Sequence, residues 1–256
     1  EQQQKRSQFL LVGEERLQAE TWLKSRFKDA QPPCLPTDLH CEFITESIKN
    51  SQNLMTQVFL SYAEEELTTM EQVRQSLRRE GLTVWTNKTD IQTGMDFQEA
   101  INRGIEEADN LICLISPAAL RSLYCQQEID YALKLHKRII PLLVEPTDLE
   151  EIPDFLRGVQ YIDLTDNLVD LDYQQDESQL LRILRQDAVY YEEHKMLLTQ
   201  ALKWDRHQHI PSMLLRGYNL QQAEAWLKLG KQRSLHPPIP LQEEFIAASL
   251  QQPSGV

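Results

Sequence analysis

Five β-rich runs alternating with helix-period stretches occupy the middle of this 256-residue chain, and few architectures accept that order. The runs are Gln57–Tyr62, Leu82–Trp85, Leu111–Ile115, Arg138–Val144 and Val159–Leu164. Between the first two, Glu65–Glu80 places Leu67, Met70, Val73 and Leu77 on one stripe. Phe97–Ala108 does the same with Phe97, Ala100, Ile101, Gly104 and Ile105, and a third helix is expected over Ser122–Leu135. Gly81 is expected just past the end of the first helix, where a left-handed residue closes the last turn. Leu111-Ile112-Cys113-Leu114-Ile115 is apolar at every position, as a parallel strand covered on both faces requires. An open α/β sheet with right-handed crossovers follows.

A repeated pattern flanks this region. Leu10-Leu11-Val12-Gly13 precedes Ala19-Glu20-Thr21-Trp22-Leu23, a Pro-Pro break, Glu42-Phe43-Ile44 and Ser47. Leu214-Leu215-Arg216-Gly217 precedes Ala223-Glu224-Ala225-Trp226-Leu227, a second Pro-Pro, Glu244-Phe245-Ile246 and Ser249. Gly to Trp is the same distance in both copies, and Trp to Phe differs by two residues. Each copy reads as two short helices about a proline-broken turn, too small to bury its own Trp and Phe, so each must pack on a neighbour or on its twin. The resulting division is a helical module over 1–50, an α/β domain over 55–175, a helical connector over 176–210 and a second module over 211–252. The stretch from Gln179 to Trp204 reads as helical throughout. The recurrence of Trp22, Trp226, Phe43 and Phe245 argues for packing, not chemistry.

The charge balance excludes some partners. With 39 acidic against 26 basic residues, the net charge of -13 disfavours nucleic acid and anionic membrane surfaces. No apolar run reaches the ~18 residues of a membrane span. The polar opening Glu1–Arg6 is read as lacking a secretory leader, and Cys34, Cys41, Cys113 and Cys125 as reduced thiols at spacings that fit no metal site. A cytoplasmic protein is the expectation. The missing initiator Met and the loose C-terminal end are read as signs of a piece from a longer multidomain chain. There is no G-x-G-x-x-G, G-x-x-x-x-G-K-[ST] or G-x-S-x-G, which counts against dinucleotide folds, P-loop enzymes and serine hydrolases.

A flavodoxin-like sheet of order 2-1-3-4-5 places ligands beyond the carboxyl ends of its first and third strands. Ser61 and Tyr62 leave the first strand there, and Ser116 leaves the third. Four motifs then fall in order. Val58-Phe59-Leu60-Ser61-Tyr62 resembles the opening motif of Toll/interleukin-1 receptor (TIR) domains, and Asp90-Ile91-Gln92-Thr93-Gly94 with Phe97 resembles their loop between the second strand and second helix. Leu114-Ile115-Ser116-Pro117 with Cys125-Gln126-Gln127-Glu128-Ile129 is similar to their third strand and glutamate-bearing helix, and Arg138-Ile139-Ile140-Pro141-Leu142 to their fourth strand. The resemblance covers about residues 55–165 and is strongest to the bacterial, cyanobacterial-type branch.

The resemblance implies one of two activities. Enzymatic members cleave the nicotinamide–ribose bond of NAD+ with a glutamate at the position of Glu128; adaptor members use the fold only to associate. A carboxylate suits the first, because loss of nicotinamide leaves an oxocarbenium-like sugar that a fixed negative charge stabilises. NAD+ is then the substrate, with no resident cofactor and no metal. Tyr62, Phe97 and Tyr124 are candidate stacking surfaces, Ser61 and Ser116 candidate hydrogen-bonding groups, and Arg103 and Arg121 candidates for the diphosphate. Many members carry Trp where this chain has Tyr124. Residues 87–95 are expected to form a loop over the pocket. Self-association through neighbouring TIR copies is implied in signalling or defence, with linear and cyclic ADP-ribose products both open. The alternative is a non-catalytic scaffold.

Overall fold

A computed structural model describes residues 7–25, 34–91, 94–148, 150–166 and 179–252. Five strands make one sheet: β1 (Thr56–Ser61), β2 (Val84–Trp85), β3 (Ala108–Ile115), β4 (Arg138–Leu143) and β5 (Ile162–Asp163). Their order is β2-β1-β3-β4-β5, and every neighbouring pair is parallel. This is the open parallel sheet that the alternating pattern predicts, in the expected flavodoxin-like order. In chain order the helices are α1 (Gly13–Lys24), α2 (Asp38–Ser51), α3 (Leu67–Arg79), α4 (Asn87–Asp90), α5 (Phe97–Glu106) and α6 (Pro117–Arg121). Then follow α7 (Leu123–Lys134), α8 (Asp154–Arg157), α9 (179–185), α10 (Ala188–Arg206), α11 (Gly217–Gly230) and α12 (Pro240–Leu250).

All eight residues of β3 are buried, and its side chains alternate between two cores. Leu111, Cys113 and Ile115 join Phe59 of β1 with Ile101 and Ile105 of α5, Ile129 of α7 and Leu198 of α10. On the other face Ile112 and Leu114 join Val58 and Leu60, the α3 stripe of Met70, Val73 and Leu77, and Leu180 and Leu184 of α9. Gly81, at φ +76°, ends α3 as its composition predicts.

The flanking repeats fold alike. Gly13 and Gly217 both open a helix at positive φ, +55° and +53°. In one copy the Leu11 amide donates to Ser47 Oγ at 3.1 Å, and in the other the Leu215 amide donates to Ser249 Oγ at 3.1 Å. Each hydroxyl in turn donates to the carbonyl of the repeated Phe, at 2.7 and 2.8 Å. Their surroundings differ. The C-terminal copy buries Trp226 and Phe245 against α10, with Trp226 Nε1 donating to the Tyr190 carbonyl and Phe245 meeting Trp204. The N-terminal copy leaves Trp22 and Phe43 half-buried and turns Leu23, Ile44 and Ile48 inward instead. Its first Pro-Pro lies outside the described residues.

Several local expectations are revised. The stretch 179–204 is two helices, α9 and α10, parted at Gln186 and Asp187; Asp187 takes a left-handed φ of 55°. Buried Arg138 explains the break, because its guanidinium donates to the Leu184 and Gln186 carbonyls that end α9. Helix α5 stops at Glu106, so β3 begins three residues earlier than the apolar run indicates. The third helix is preceded by a separate short one, α6, with Ser116 as its cap and Pro117 at its first position. Edge strands β2 and β5 shorten to two residues each.

Trp85 of β2 stacks on Phe59 with centroids 4.7 Å apart, and Gly104 of α5 presses against the same indole. A Cβ on Gly104 would lie 2.7 Å from a ring atom, inside contact distance. Gly104→Ala is expected to destabilise the fold by about 1–3 kcal/mol. Denaturant unfolding should show a lower midpoint at an unchanged slope.

Candidate active site

Helix α7 begins at the cap Ser122, whose hydroxyl accepts the Cys125 amide, and this start sets the rotation of the helix. Cys125, Glu128, Ile129 and Ala132 fall on the inward face. Glu128 lies one turn into the helix, beside the carboxyl end of β1. There Ser61, the last residue of β1, donates to Glu128 Oε2 at 2.5 Å. Glu128 is only 6% exposed, and no salt bridge involves its carboxyl group among the described residues. Burial pushes its pKa up to about 7, against a smaller lowering by the Ser61 hydrogen bond.

The carboxyl group forms part of the wall of a cavity of about 430 Å³. Tyr62, Asn87, Phe97, Arg121 and Tyr124 line it as well. Phe97 and Tyr124 meet edge to face at 6.0 Å and remain 46% and 61% exposed, so the rim is open and aromatic. Tyr62 donates to Asn87 Oδ1 at 2.6 Å, joining the exit of β1 to α4. Burial, the largest cause, raises the Tyr62 pKa, so this phenol is a hydrogen-bond donor and not a base.

Residues 58–182 match the family model for the TIR domain. This segment is a TIR domain. Among solved structures it is similar to the TIR domain of the Toll-related receptor TRR-2 from Hydra magnipapillata, at 27% identity and a TM-score of 0.44. That match covers 51% of this chain and 98% of the Hydra chain. A metazoan TIR-STING receptor from C. gigas, solved with 2',3'-cGAMP, is 23% identical with a TM-score of 0.41, covering 48% of this chain and 39% of the receptor. The TIR domains of the activated Roq1 resistosome, which recognises the effector XopQ, are 16% identical with a TM-score of 0.40, covering 50% and 99%. Comparison with curated proteins gives no match.

Of the residues the sequence nominates, the TIR segment gathers Glu128, Tyr62, Phe97, Tyr124 and Arg121 around one cavity, with Ser61 beneath the carboxylate. It leaves Ser116 and Arg103 elsewhere. Ser116 is fully buried, caps α6 through the Ala119 amide and donates to Glu66 Oε1 at 2.5 Å. Arg103 lies on the outer face of α5, half-exposed and paired with Glu99 at 3.0 Å. The inward positions of α5 are taken by Ala100, Ile101, Gly104 and Ile105, which directs Arg103 away from the cavity. Residues 87–90 form a helical turn where a loop is expected, and residues 92–93 lie outside the described residues.

Sequence reasoning misses Glu64 and Glu65, which also face the cavity, and places Asn87 only as the start of the segment expected to overhang it. The acidic run Glu64-Glu65-Glu66 directly after β1 is a visible signal for the two glutamates. Asn87 gives none. Carboxylates at the mouth favour a cationic ring and oppose an anionic tail, which leaves Arg121 as the nearby positive group. The thiols are not nucleophiles here: burial raises the pKa of Cys41, Cys113 and Cys125, so all three are held as thiols. Among the described residues no group of three His, Cys, Asp or Glu side chains is placed to hold a metal, and no helix is long and apolar enough to cross a membrane.

A buried acid has a stability signature with a definite sign. The Glu128 pKa stands above its ordinary 4.5 in the fold, so its contribution is most favourable below pH 4.5 and is lost as pH rises through about 7. Glu128→Gln removes that loss. The variant should be more stable than the parent at pH 8, by at most about 3 kcal/mol, with the difference shrinking toward pH 5. Thermal unfolding of both proteins across this range tests it.

Proposed function

We propose that this TIR domain cleaves the bond between nicotinamide and ribose in NAD+. The observation that carries the reading is a single desolvated carboxyl group, Glu128, on the wall of an open-mouthed cavity with an aromatic rim. Glu66 is also buried on a serine but lies off the cavity; Glu128 combines desolvation with a place on the cavity wall.

In this reading the nicotinamide ring stacks among Tyr62, Phe97 and Tyr124, and its positive charge is favoured by Glu64 and Glu65. The bond from ribose C1' to the ring nitrogen breaks, and its electron pair neutralises the pyridinium. Positive charge moves onto the sugar, where ionised Glu128 stabilises it. Ser61 occupies Oε2, so Oε1 is the oxygen assigned to orienting the ribose hydroxyls. Arg121 is assigned to the diphosphate. Water then adds its oxygen to C1' and releases a proton, giving ADP-ribose; capture by a nucleophile within the same molecule would give a cyclic isomer. The exposed Phe97 and Tyr124 leave one side of the pocket for a second copy to cover, so turnover should depend on assembly.

The scaffold reading also draws on that exposed rim, because an apolar edge is suited to association without chemistry. Nicotinamide release separates the two. Wild-type protein should release nicotinamide from NAD+ at a specific rate that rises with protein concentration. Glu128→Gln should lower the rate by roughly 10²–10³-fold with the fold intact. A chromatographic assay over a concentration series reads both results, and a wild-type protein silent at every concentration would favour the scaffold. Because the ionised carboxylate is the stabilising form, kcat/KM should climb with pH and level off above about 7.

A further inference from the structure

The N-terminal module reaches the pocket through one buried ion pair. Lys49, near the end of α2, is 4% exposed, donates to the Val84 carbonyl at 3.3 Å and pairs with Asp90 Oδ1. Asp90 ends the α4 turn. Its other oxygen, Oδ2, accepts the Thr86 amide and the Thr89 hydroxyl, both at 2.9 Å. The Asp90 amide donates to the Thr86 carbonyl at 3.0 Å, closing the turn. Asn87 lies inside this turn and accepts the Tyr62 hydroxyl on the cavity wall. A continuous path of short contacts therefore runs from the flanking module to the substrate side of the pocket.

The repeat separates what the module needs from what the pocket needs. Aligning Phe43 with Phe245 puts Ser47 opposite Ser249, which make the same hydrogen bonds in both copies. Lys49 falls opposite Gln251, which is exposed, and Glu46 opposite Ala248. The C-terminal copy folds without a cation at that position, so the module's own architecture does not require Lys49. Burying an ammonium is costly unless it is paired; Lys49 stands 3.9 Å from Glu46 of its own helix, but its close partners, Asp90 and the Val84 carbonyl, belong to the second strand and the turn after it.

We infer that Lys49 is a positioning residue: through Asp90 the N-terminal module holds the α4 turn, and with it Asn87 and Tyr62, in the geometry that receives the ligand. The ligand's identity rests on the NAD+ reading above; the anchoring of the turn does not. Because this wall contacts substrate before and during bond breaking alike, its loss should raise KM and leave kcat near the parent value.

The test uses Lys49→Met, Asp90→Asn and the two together. Lys49→Met alone strands a buried carboxylate and should lower thermal stability. The double variant is neutral and should recover stability, yet it still lacks the anchor. Expected for the double variant are faster amide exchange confined to residues 86–90 and a rise of about tenfold in KM for nicotinamide release. A purely structural Lys49 predicts recovery of both readouts along with stability, and that result would overturn the inference. Faster exchange with an unchanged KM would overturn it as well, because the turn would then be held without serving the pocket. Wild-type protein that releases no nicotinamide sinks the NAD+ reading, and unchanged exchange at 86–90 in the double variant still sinks the anchor independently.

Discussion

Burial of β3 on both faces is the constraint from which the other arrangements descend. A strand with eight buried residues must be covered by helices above and below, and parallel neighbours on either side force each connection to cross over. Those crossovers return every chain segment to the same sheet edge. Ser61, Tyr62 and the start of α7 therefore meet at the carboxyl end although they are far apart in sequence. A carboxyl group brought there by α7 is desolvated by the same apolar packing that stabilises the sheet. The raised pKa of Glu128 is thus a product of the fold's core and not of a charged neighbour.

Much of this was legible in the residues. The open parallel sheet follows from the alternation of periods, its 2-1-3-4-5 order is the common one taken for such a sheet, and Gly81 marks the end of α3 as its missing side chain dictates. Glu128, Tyr62, Phe97, Tyr124 and Arg121, nominated through the TIR resemblance, share one cavity. The failures have a common cause. Ser116 satisfies two local partners, and Arg103 sits on the wrong side of an amphipathic helix, so chemical type without phase misled. The α9–α10 break depends on Arg138, more than forty residues away, and no local pattern encodes that. Asn87 acquires its place from Tyr62 in the same long-range way.

The duplicated module shows how one small unit serves two positions. Its internal seam, a serine hydroxyl bridging the leucine amide and the phenylalanine carbonyl, is kept in both copies. The C-terminal copy turns its Trp and Phe into α10, which carries the aromatic platform of Tyr190 and Trp204. The N-terminal copy docks through the other side of α2 and uses charge: Arg78 with Glu46, Arg79 with Asp38, and Lys49 with Asp90. Hydrophobic docking is permanent within a folded chain, whereas exposed ion pairs such as Arg79–Asp38 weaken with salt.

The seam has an architectural consequence. A hydroxyl that ties two helices together internally frees the outer surfaces from any duty in holding the unit closed. Each flank can then drift toward whatever neighbour it meets, greasy on one occasion and ionic on another, while the hinge-like fastening stays constant. A piece of about forty residues built this way acts as a bracket with interchangeable faces, and chains assembled from such brackets gain new domain contacts without inventing new folds.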